Sequence, residues 1–361
     1  MSGPHTDHHV HFLAAVAARL SIDVSAAGRV EDLLAAIEVG APARGWVRAW
    51  GYEEWRLAGG RTPTASDLER ALPGRPVVLH HRTGHAAVLS PAALVEVGAT
   101  EHADGLLVDR HDILSRVPRL DPSSMQAAAA RLSAEWEAAG VGAFTDATHT
   151  NGAAELDLLA RWSAAGVIRQ AVTAMVGPGD LASLPGHGAP VGSVRVGAVK
   201  LMPAAGRLGE LRPQVADAHR SGFPVAIHVV EVDVLAAALD AFAASGPPPG
   251  CRDRIEHNAL SLPEQVDSIA ASGAVVVVNP SFLVRRRGKY QAQLTGVERG
   301  WLIRMASLVR AGVELRAGSD APVAPSVPAE MTAAARAHPF SAAESLDEAG
   351  ARRLLSPLDD A

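Results

Sequence analysis

The feature that most restricts the fold is the alternation of short apolar runs with amphipathic stretches from about Ser123 onward. The apolar runs have the length of β-strands, and the stretches between them repeat their apolar residues at helical spacing. Strands that alternate with helices form βα units and a parallel sheet. The predicted strands span 141–146, 167–175, 194–202, 224–230, 252–258, 273–279 and 313–320, and the predicted helices span 153–165, 209–221, 232–245, 263–272 and 297–311.

An earlier apolar run at 8–12 supplies an eighth strand, which is the number that closes a (β/α)8 TIM barrel. A doubly wound open sheet uses the same ingredients. No strand is followed by the glycine fingerprint of a dinucleotide-binding fold, however, and this favours the barrel. We therefore predict an α/β chain whose residues 1–361 form a single barrel domain.

The first and second predicted strands are too far apart for one βα unit. We interpret 42–120 as an insertion subdomain after strand 1. This segment contains Trp46, Trp50 and Trp55, and we expect the three indoles to form its own core rather than a platform for a substrate.

Composition excludes several classes of protein. Hydrophobic residues make up 48% of the 361 residues, which is enough for a large core, and a formal net charge of −6 gives no footprint for nucleic acid. The single cysteine, Cys251, excludes a disulfide framework. No apolar run reaches the roughly 18 residues of a membrane helix, and the N-terminus lacks the pattern of a signal peptide. We expect a cytoplasmic protein that does not bind membranes.

Lysine is unusually rare. Only Lys200 and Lys289 are lysines among the 33 basic residues, and Lys200 lies inside the apolar run 196–202. Arginine keeps its proton in proteins, whereas a buried lysine can lose it. The sequence therefore retains an amine at a position where an amine can become neutral.

Histidine, aspartate and lysine recur where the predicted strands end. His9 and His11 share one face of strand 1 with Asp7, because side chains alternate along a strand. In a (β/α)8 barrel the carboxyl ends of the strands meet at one mouth. Six positions are expected to converge there: His9, His11, Lys200, His228, His257 and Asp320.

These residue types are typical of a divalent metal site. Neutral imidazole and carboxylate bind zinc and similar ions, and a bound water is then acidified to a pKa of about 7. One histidine at a strand end is usually an ordinary core or surface residue. Four of them, together with an aspartate and a lysine among apolar neighbours, favour a catalytic metal centre.

The order Asp-x-His-x-His, Lys, His, His, Asp resembles that of the amidohydrolase superfamily. Other segments are similar to its family 3 branch, namely Arg75-Pro-Val-Val-Leu, Gly84-His85-Ala-Ala-Val, Pro91-Ala-Ala-Leu94, Arg254-Ile-Glu-His257 and Gly318-Ser-Asp-Ala-Pro322. The resemblance implies hydrolysis of a non-peptide C–N bond in a small molecule. It also implies two divalent ions, with Zn²⁺ as the expected metal.

The resemblance also implies a role for each ligand. His9, His11 and Asp320 would hold one ion, and His228 and His257 would hold the second. Lys200, as a carbamate formed with CO₂, would bridge the two. A metal-held hydroxide would attack the substrate, and Asp320 would act as general acid and base.

The chain also departs from this branch. At three places the branch commonly has other residues than this chain, which has Ala204-Ala205, Glu231-Val232 and Asn279-Pro-Ser-Phe282 there. These differences indicate a different substrate pocket. Strands for the usual flanking β-sandwich are missing. We therefore expect exposed apolar surface, and hence a homo-oligomer or poor solubility.

Three weaker candidates for substrate contact are His85, His149 and Arg286. His85 lies in the insertion, His149 follows strand 2, and Arg286 follows strand 7. A structural role for either histidine and a solvated basic loop at Arg286 are the competing interpretations.

Two other functions remain open at this point. His228-Val-Val-Glu231 has the spacing of a mononuclear zinc deaminase of the same superfamily, in which a glutamate protonates a ring nitrogen. A truncated, non-catalytic remnant is the second alternative, although retention of all six ligand positions argues against it.

Overall fold

The computed structural model describes residues 5–203 and 206–358. The Ala204-Ala205 pair lies outside the described residues. The chain forms two compact units: one contains the residues up to His11 and those from Ala130 onward, and the other is Phe12–Ala129.

The first unit is built on eight parallel strands that follow one another in chain order around the sheet. The strands are β1 (His5–Val10), β2 (Val141–Asp146), β3 (Ala171–Val176), β4 (Val194–Leu201), β5 (Val225–Val229), β6 (Arg254–His257), β7 (Val275–Val278) and β8 (Leu315–Ala317). Val10 also pairs in parallel with Ala321, just beyond β8, which nearly closes the sheet into a ring. The predicted (β/α)8 barrel is confirmed.

The barrel strands are buried along nearly their whole length. All four residues of β6 and of β7 are buried, as are the last six residues of β4. A parallel barrel covers each strand with helices on one face and with the opposite strands on the other, so its strands are continuously apolar. This explains why the apolar runs were visible in the sequence.

Helices connect the barrel strands. Those of the first unit span Ala153–Ala164, Leu211–Arg220, Val232–Ala244, Gln265–Ser272, Pro280–Arg285, Arg287–Gln293, Gly296–Arg299, Met305–Arg310, Pro328–Arg336 and Glu348–Arg353, while Pro122–Ala138 extends across the boundary of the two units. No helix in the described part of the chain is long and apolar enough to cross a bilayer.

Among the boundaries that differ from the sequence-based prediction are those of β1 and of the helix predicted over 297–311. Strand β1 begins earlier, at His5, and ends at Val10, so His11 lies just beyond it. The helix predicted over 297–311 is two short helices, because the backbone at Ile303 has a φ of 39° and Leu302 pairs with Leu260. A left-handed residue cannot continue a right-handed helix.

The second unit has its own five-stranded sheet and its own helices. Its strands are Ile22–Asp23, Val47–Tyr52, Val77–His81, Ala86–Leu89 and Leu106–Val108, with parallel pairing among the first three and antiparallel pairing after them. Its helices are Phe12–Arg19, Val30–Gly40, Ala65–Ala71, Pro91–Val97 and His111–Leu114. The predicted insertion at 42–120 lies within this unit, which starts at Phe12 and ends at Ala129.

The expectation that three tryptophans form the core of this unit is wrong. Trp46, Trp50 and Trp55 are each only half-buried. The core consists of aliphatic side chains such as Leu33 and Leu79, which are fully buried. An indole is large and its N–H needs a partner, which keeps it near the surface, as Trp46 does by donating to Glu96.

Candidate metal centre

The carboxyl end of the barrel brings together three groups that can bind a metal. His9, His11 and Asp320 each offer one ligand atom, and these atoms lie within 4.8 Å of one another. The Asp320 Oδ1 atom is 3.1 Å from His11 Nε2 and 3.5 Å from His9 Nε2. Within the described ranges this is the one group of three histidine, cysteine or acidic residues with such spacing.

The closing seam of the barrel holds this group in place. The Asp320 amide donates to the His9 carbonyl at 2.7 Å, and the His11 amide donates to the Ala321 carbonyl at 2.8 Å. These two backbone hydrogen bonds therefore fix the positions of the three ligand residues relative to one another. Residues that are 311 positions apart in sequence are thereby adjacent.

Hydrogen bonds at Nδ1 orient two of the imidazole rings. His9 Nδ1 contacts the Glu256 carboxylate, which can only accept, so this nitrogen carries the proton. His257 Nδ1 lies 2.6 Å from Asn279 Oδ1, and the Asn279 amide group donates to the Gly318 carbonyl at 2.8 Å. Both rings therefore keep Nε2 without a proton. This arrangement is typical of histidines that bind a metal through Nε2.

The remaining ring of the group is anchored through a hydroxyl. His11 Nδ1 is 3.0 Å from Thr148 Oγ1, on the loop after β2. His9 Nε2 is buried and has no hydrogen-bond partner among the described residues. A lone pair on His9 Nε2 thus faces a carboxylate oxygen of Asp320, an arrangement that a cation between them would stabilise. The donor set fits a divalent metal.

Two further histidines and Lys200 extend the group. The ring centroids of His9 and His257 are 4.6 Å apart, and those of His257 and His228 are 4.5 Å apart. Lys200 lies on β4 and is only 1% exposed, and its Nζ has no hydrogen-bond partner in the described part of the chain. The six residues expected to converge are thus assembled at or beside one another, while their metal-binding roles stay predictions.

Burial favours the neutral form of His9, His257 and Lys200. It lowers the pKa of His9 to about 4 and that of His257 to about 3. Burial also lowers the pKa of Lys200 to about 8, although Glu256 and Asp320 partly oppose the effect. Burial alone would raise the pKa of Asp320, but the hydrogen bond from His11 and the neighbouring imidazoles hold it below its ordinary value.

The backbone is strained at this end of the barrel. His257, Asn258 and Asp320 have φ values of 70°, 43° and 59°. Such left-handed conformations cost a residue with a side chain on the order of 1–3 kcal/mol. The surrounding fold maintains this strain next to the candidate ligands, as is common at functional sites.

The weaker candidates have identifiable surroundings. His149 is half-buried and directly follows Thr148, the partner of His11. Arg286 is half-buried, with its guanidinium 5.2 Å from the Phe282 ring. His85 belongs to the second unit, where its Nδ1 is 2.8 Å from Asp109. Contact of these three residues with a substrate remains a prediction.

Several supporting residues were missed at the sequence level. Asp7 was placed on the ligand face, but it accepts hydrogen bonds from the Ser319 amide at 2.9 Å and from the Ser326 hydroxyl at 2.5 Å, and it stays out of the metal group. Glu256 and Asn279 belong to the sequence motifs quoted above, but the motifs do not predict their contacts with His9 and His257. The one available signal was that Glu256 and Arg254 are two residues apart on a strand and so share a face.

Comparisons with known proteins agree with this architecture. The chain belongs to the amidohydrolase family, whose sequence profile matches residues 5–339. This confirms the resemblance found in the sequence and makes the protein a member of a hydrolase family. Among curated proteins, none matches this sequence.

Two solved structures are similar in fold. One is described as an uncharacterized metal-dependent hydrolase from Pyrococcus horikoshii OT3, with a TM-score of 0.75 and 20% identity over 98% of this chain and 81% of that chain. The other carries the same description, from Pyrococcus furiosus, with a TM-score of 0.73 and 20% identity over 97% of this chain and 80% of that chain. At this identity the likeness supports the fold alone.

Gly318 provides a test of the seam. A Cβ atom added there would lie 2.4 Å from His9 Cβ and 2.6 Å from His9 N, which is too close for the backbone to remain in place. We expect Gly318→Ala to lower the free energy of unfolding by about 1–3 kcal/mol and to weaken Zn²⁺ binding, because His9 must shift. Urea unfolding and calorimetric Zn²⁺ titration measure both effects. Gly246→Ala, where an added Cβ meets nothing within 4 Å, is the control. Unchanged Zn²⁺ affinity in Gly318→Ala would contradict this account.

Acid should destabilise the metal-free protein. Burial lowers the pKa of His8 and His257 to about 3 and that of His9 to about 4, from an ordinary 6.5. Below pH 6.5 the unfolded chain binds protons that the folded chain excludes. The contribution of these histidines to stability is therefore constant above about pH 6.5 and falls as the pH drops toward 4, by about 1.4 kcal/mol per pH unit for each histidine. Urea unfolding at pH 7.5, 6.5 and 5.5 measures this, and equal stability at all three values would refute it.

Proposed function

We propose that this protein is a metal-dependent amidohydrolase that hydrolyses a non-peptide C–N bond of a small molecule. The observation that carries the proposal is the row of four closely spaced imidazoles, with Asp320 and an unpartnered Lys200 amine beside it. Membership of the amidohydrolase family supports the hydrolase class. The choice of a non-peptide bond is based on the sequence resemblance to the family 3 branch.

The residues that would hold metal fall into two sets. His9, His11 and Asp320 would hold one ion, and His228 and His257 would hold the second. When bound, a divalent cation such as Zn²⁺ supplies a Lewis acid and lowers the pKa of a coordinated water to about 7. The protein contributes rings whose Nε2 atoms are already unprotonated, so no proton has to leave His9 or His257 before they bind.

Asp320 is suited to move the proton in this reaction. Its pKa is held below the ordinary value, so the carboxylate is ionised at neutral pH and carries no proton of its own. It lies within 3.5 Å of both His9 and His11, at the middle of the group. A single carboxylate in that position would be able to take a proton from the attacking water and give it to the leaving nitrogen, which is the requirement for general acid–base catalysis.

Lys200 is suited to carry a carbamate. An amine with a pKa of about 8 is neutral in roughly one molecule in ten at pH 7, far more often than an amine with the ordinary pKa. The neutral nitrogen adds to the carbon of CO₂ and loses one proton to solvent, which leaves an anionic carbamate with two oxygens. These oxygens could bind one ion each. Arginine cannot undergo this step, which gives a chemical reason for a lysine at this position.

The deaminase alternative depends on Glu231. This glutamate is exposed and lies at the N-cap of the helix Val232–Ala244, so it is not packed among the buried groups of the candidate centre. Metal analysis of freshly purified protein, combined with a screen of N-acyl, formamide, cyclic amide and dipeptide substrates, tests the proposed function. One zinc per chain with unmodified Lys200 and ring deamination would favour the deaminase. Metal binding without any turnover would favour a non-catalytic protein.

Substitution of Lys200 tests the bridging carbamate. We expect Lys200→Arg to fold but to bind one divalent ion per chain instead of two and to lose most activity, because a guanidinium cannot form a carbamate. Metal analysis and rate measurements give both values. Lys200→Ala with added formate or acetate should regain part of the activity. Lys289→Arg, at the other lysine of the chain, is the matched control. Two bound ions with full activity in Lys200→Arg would rule out the bridge.

Substitution of Asp320 tests the proton transfer. Asp320→Asn keeps the shape of the side chain but removes its charge and its basicity. We expect kcat at saturating Zn²⁺ to fall on the order of 10²–10⁴-fold on a substrate found in the screen. Asp217→Asn, at an exposed carboxylate paired with Arg220, is the control and should leave kcat unchanged. A kcat for Asp320→Asn close to that of the wild type would show that the role is wrongly assigned.

A further inference from the structure

We propose that Glu256, held by Arg254, is a positioning residue that fixes the tautomer of His9 and so keeps His9 Nε2 available for a metal ion. This inference rests on the proposed metal centre. It gives a function to Glu256 and Arg254, two buried charged residues that have no other role in the proposed reaction.

The contact between Glu256 and His9 crosses the inside of the barrel. Strand β6 carries Glu256 and strand β1 carries His9, and these strands are not neighbours in the sheet. Glu256 Oε2 nevertheless contacts His9 Nδ1, and both side chains are fully buried. A link of this kind is not required for strand pairing, which the backbone hydrogen bonds of adjacent strands already provide.

Arg254 fixes the other side of the carboxylate. Its Nε donates to Glu256 Oε1 at 2.7 Å, and its Nη2 donates to the His8 carbonyl at 2.8 Å. The guanidinium therefore ties Glu256 to the backbone directly before His9. It also compensates the buried negative charge, which would otherwise be costly.

Counting donors and acceptors determines the position of the proton on His9. Glu256 is an acceptor at both oxygens, and Arg254 occupies one of them. His9 Nδ1 must then donate to the other, which leaves a lone pair on Nε2. Nε2 lies 3.5 Å from Asp320 Oδ1 and has no hydrogen-bond partner in the described ranges. The ring is thus prepared for a cation before one arrives.

The substitution Glu256→Gln removes one of the two acceptor oxygens but hardly changes the shape of the side chain. Glutamine offers one acceptor oxygen to two donors, the Arg254 Nε–H and the His9 Nδ1–H. If the glutamine NH₂ group faces Arg254, two hydrogen-bond donors oppose each other. If it faces His9 instead, Nδ1 must accept a hydrogen bond, and the imidazole proton moves to Nε2. In the second case the proton occupies the nitrogen that the metal requires.

The test is Zn²⁺ titration of the metal-free full-length protein by calorimetry with a competing chelator. We expect Glu256→Gln to weaken Zn²⁺ binding about 10–100-fold, the usual effect of losing a carboxylate behind a metal-binding histidine. Nitrogen-15 chemical shifts of the histidines in the metal-free protein report the tautomer directly. We expect the wild type to hold the His9 proton at Nδ1 and Glu256→Gln to show Nε2 protonation.

Asp253→Asn is the matched control. Asp253 directly precedes β6, forms a buried pair with His219 at 3.0 Å and accepts a hydrogen bond from the Val225 amide at 2.9 Å. A merely structural carboxylate should lose stability on this change but leave Zn²⁺ affinity as in the wild type. If Glu256→Gln does not fold, Arg254→Lys provides the second variant. It keeps the charge but cannot hold Glu256 and the His8 carbonyl together, and we expect a smaller loss of Zn²⁺ affinity.

The possible outcomes distinguish a failure of the positioning role from a failure of the proposed metal centre. If the wild type fails to bind Zn²⁺, the proposed function is wrong. If the wild type binds Zn²⁺ and Glu256→Gln binds it equally well with the proton still at Nδ1, the metal centre stands and the positioning role is overturned. A tenfold or greater loss in Glu256→Gln, with no loss in Asp253→Asn, supports the role.

Discussion

Two backbone hydrogen bonds at the seam between β1 and the segment after β8 hold the candidate site together. The Asp320 amide donates to the His9 carbonyl, and the His11 amide donates to the Ala321 carbonyl. The same bonds that bring the first strand to the last also place two imidazoles and a carboxylate side by side. Closure of the barrel and assembly of the ligands are therefore one structural event, and any change that opens the seam disperses the site.

Close packing at the seam leaves little freedom in the residues that form it. Gly318 passes so near His9 that a Cβ atom would not fit, and Asp320 takes a left-handed backbone conformation directly after it. The packing of the surrounding buried strands offsets the free-energy cost of this close approach and of the left-handed conformation. Three of the left-handed residues, His257, Asn258 and Asp320, lie at the carboxyl end of the barrel, where side chains have to point at one another instead of into the core.

Burial determines the charge state of the site. Removing His9 and His257 from water favours the neutral imidazole, and the same effect moves the Lys200 amine toward its neutral form. The two carboxylates are exceptions. Burial would raise the pKa of Glu256, but Arg254 and His9 outweigh that effect and hold the pKa well below its ordinary value. His11, His9 and His257 lower the pKa of Asp320 in the same way. The site thus combines neutral donors with ionised carboxylates, as a divalent cation requires.

The sequence by itself determined the barrel and the residue types at its mouth. Apolar strands and amphipathic helices are local patterns, and parallel strands necessarily end at one edge, so His9, His228, His257 and Asp320 could be placed near one another. The break in the helix predicted over 297–311 was not visible, because propensity does not report a left-handed residue such as Ile303.

Only the tertiary structure decided which groups touch. The pairing of Glu256 with His9 joins residues 247 positions apart across the barrel interior, and Asp7 turned to Ser319 and Ser326 instead of the ligand group. The physical reason is that contacts across a barrel depend on strand register and on how far each side chain reaches. Neither quantity is encoded in the local periodicity that a sequence displays.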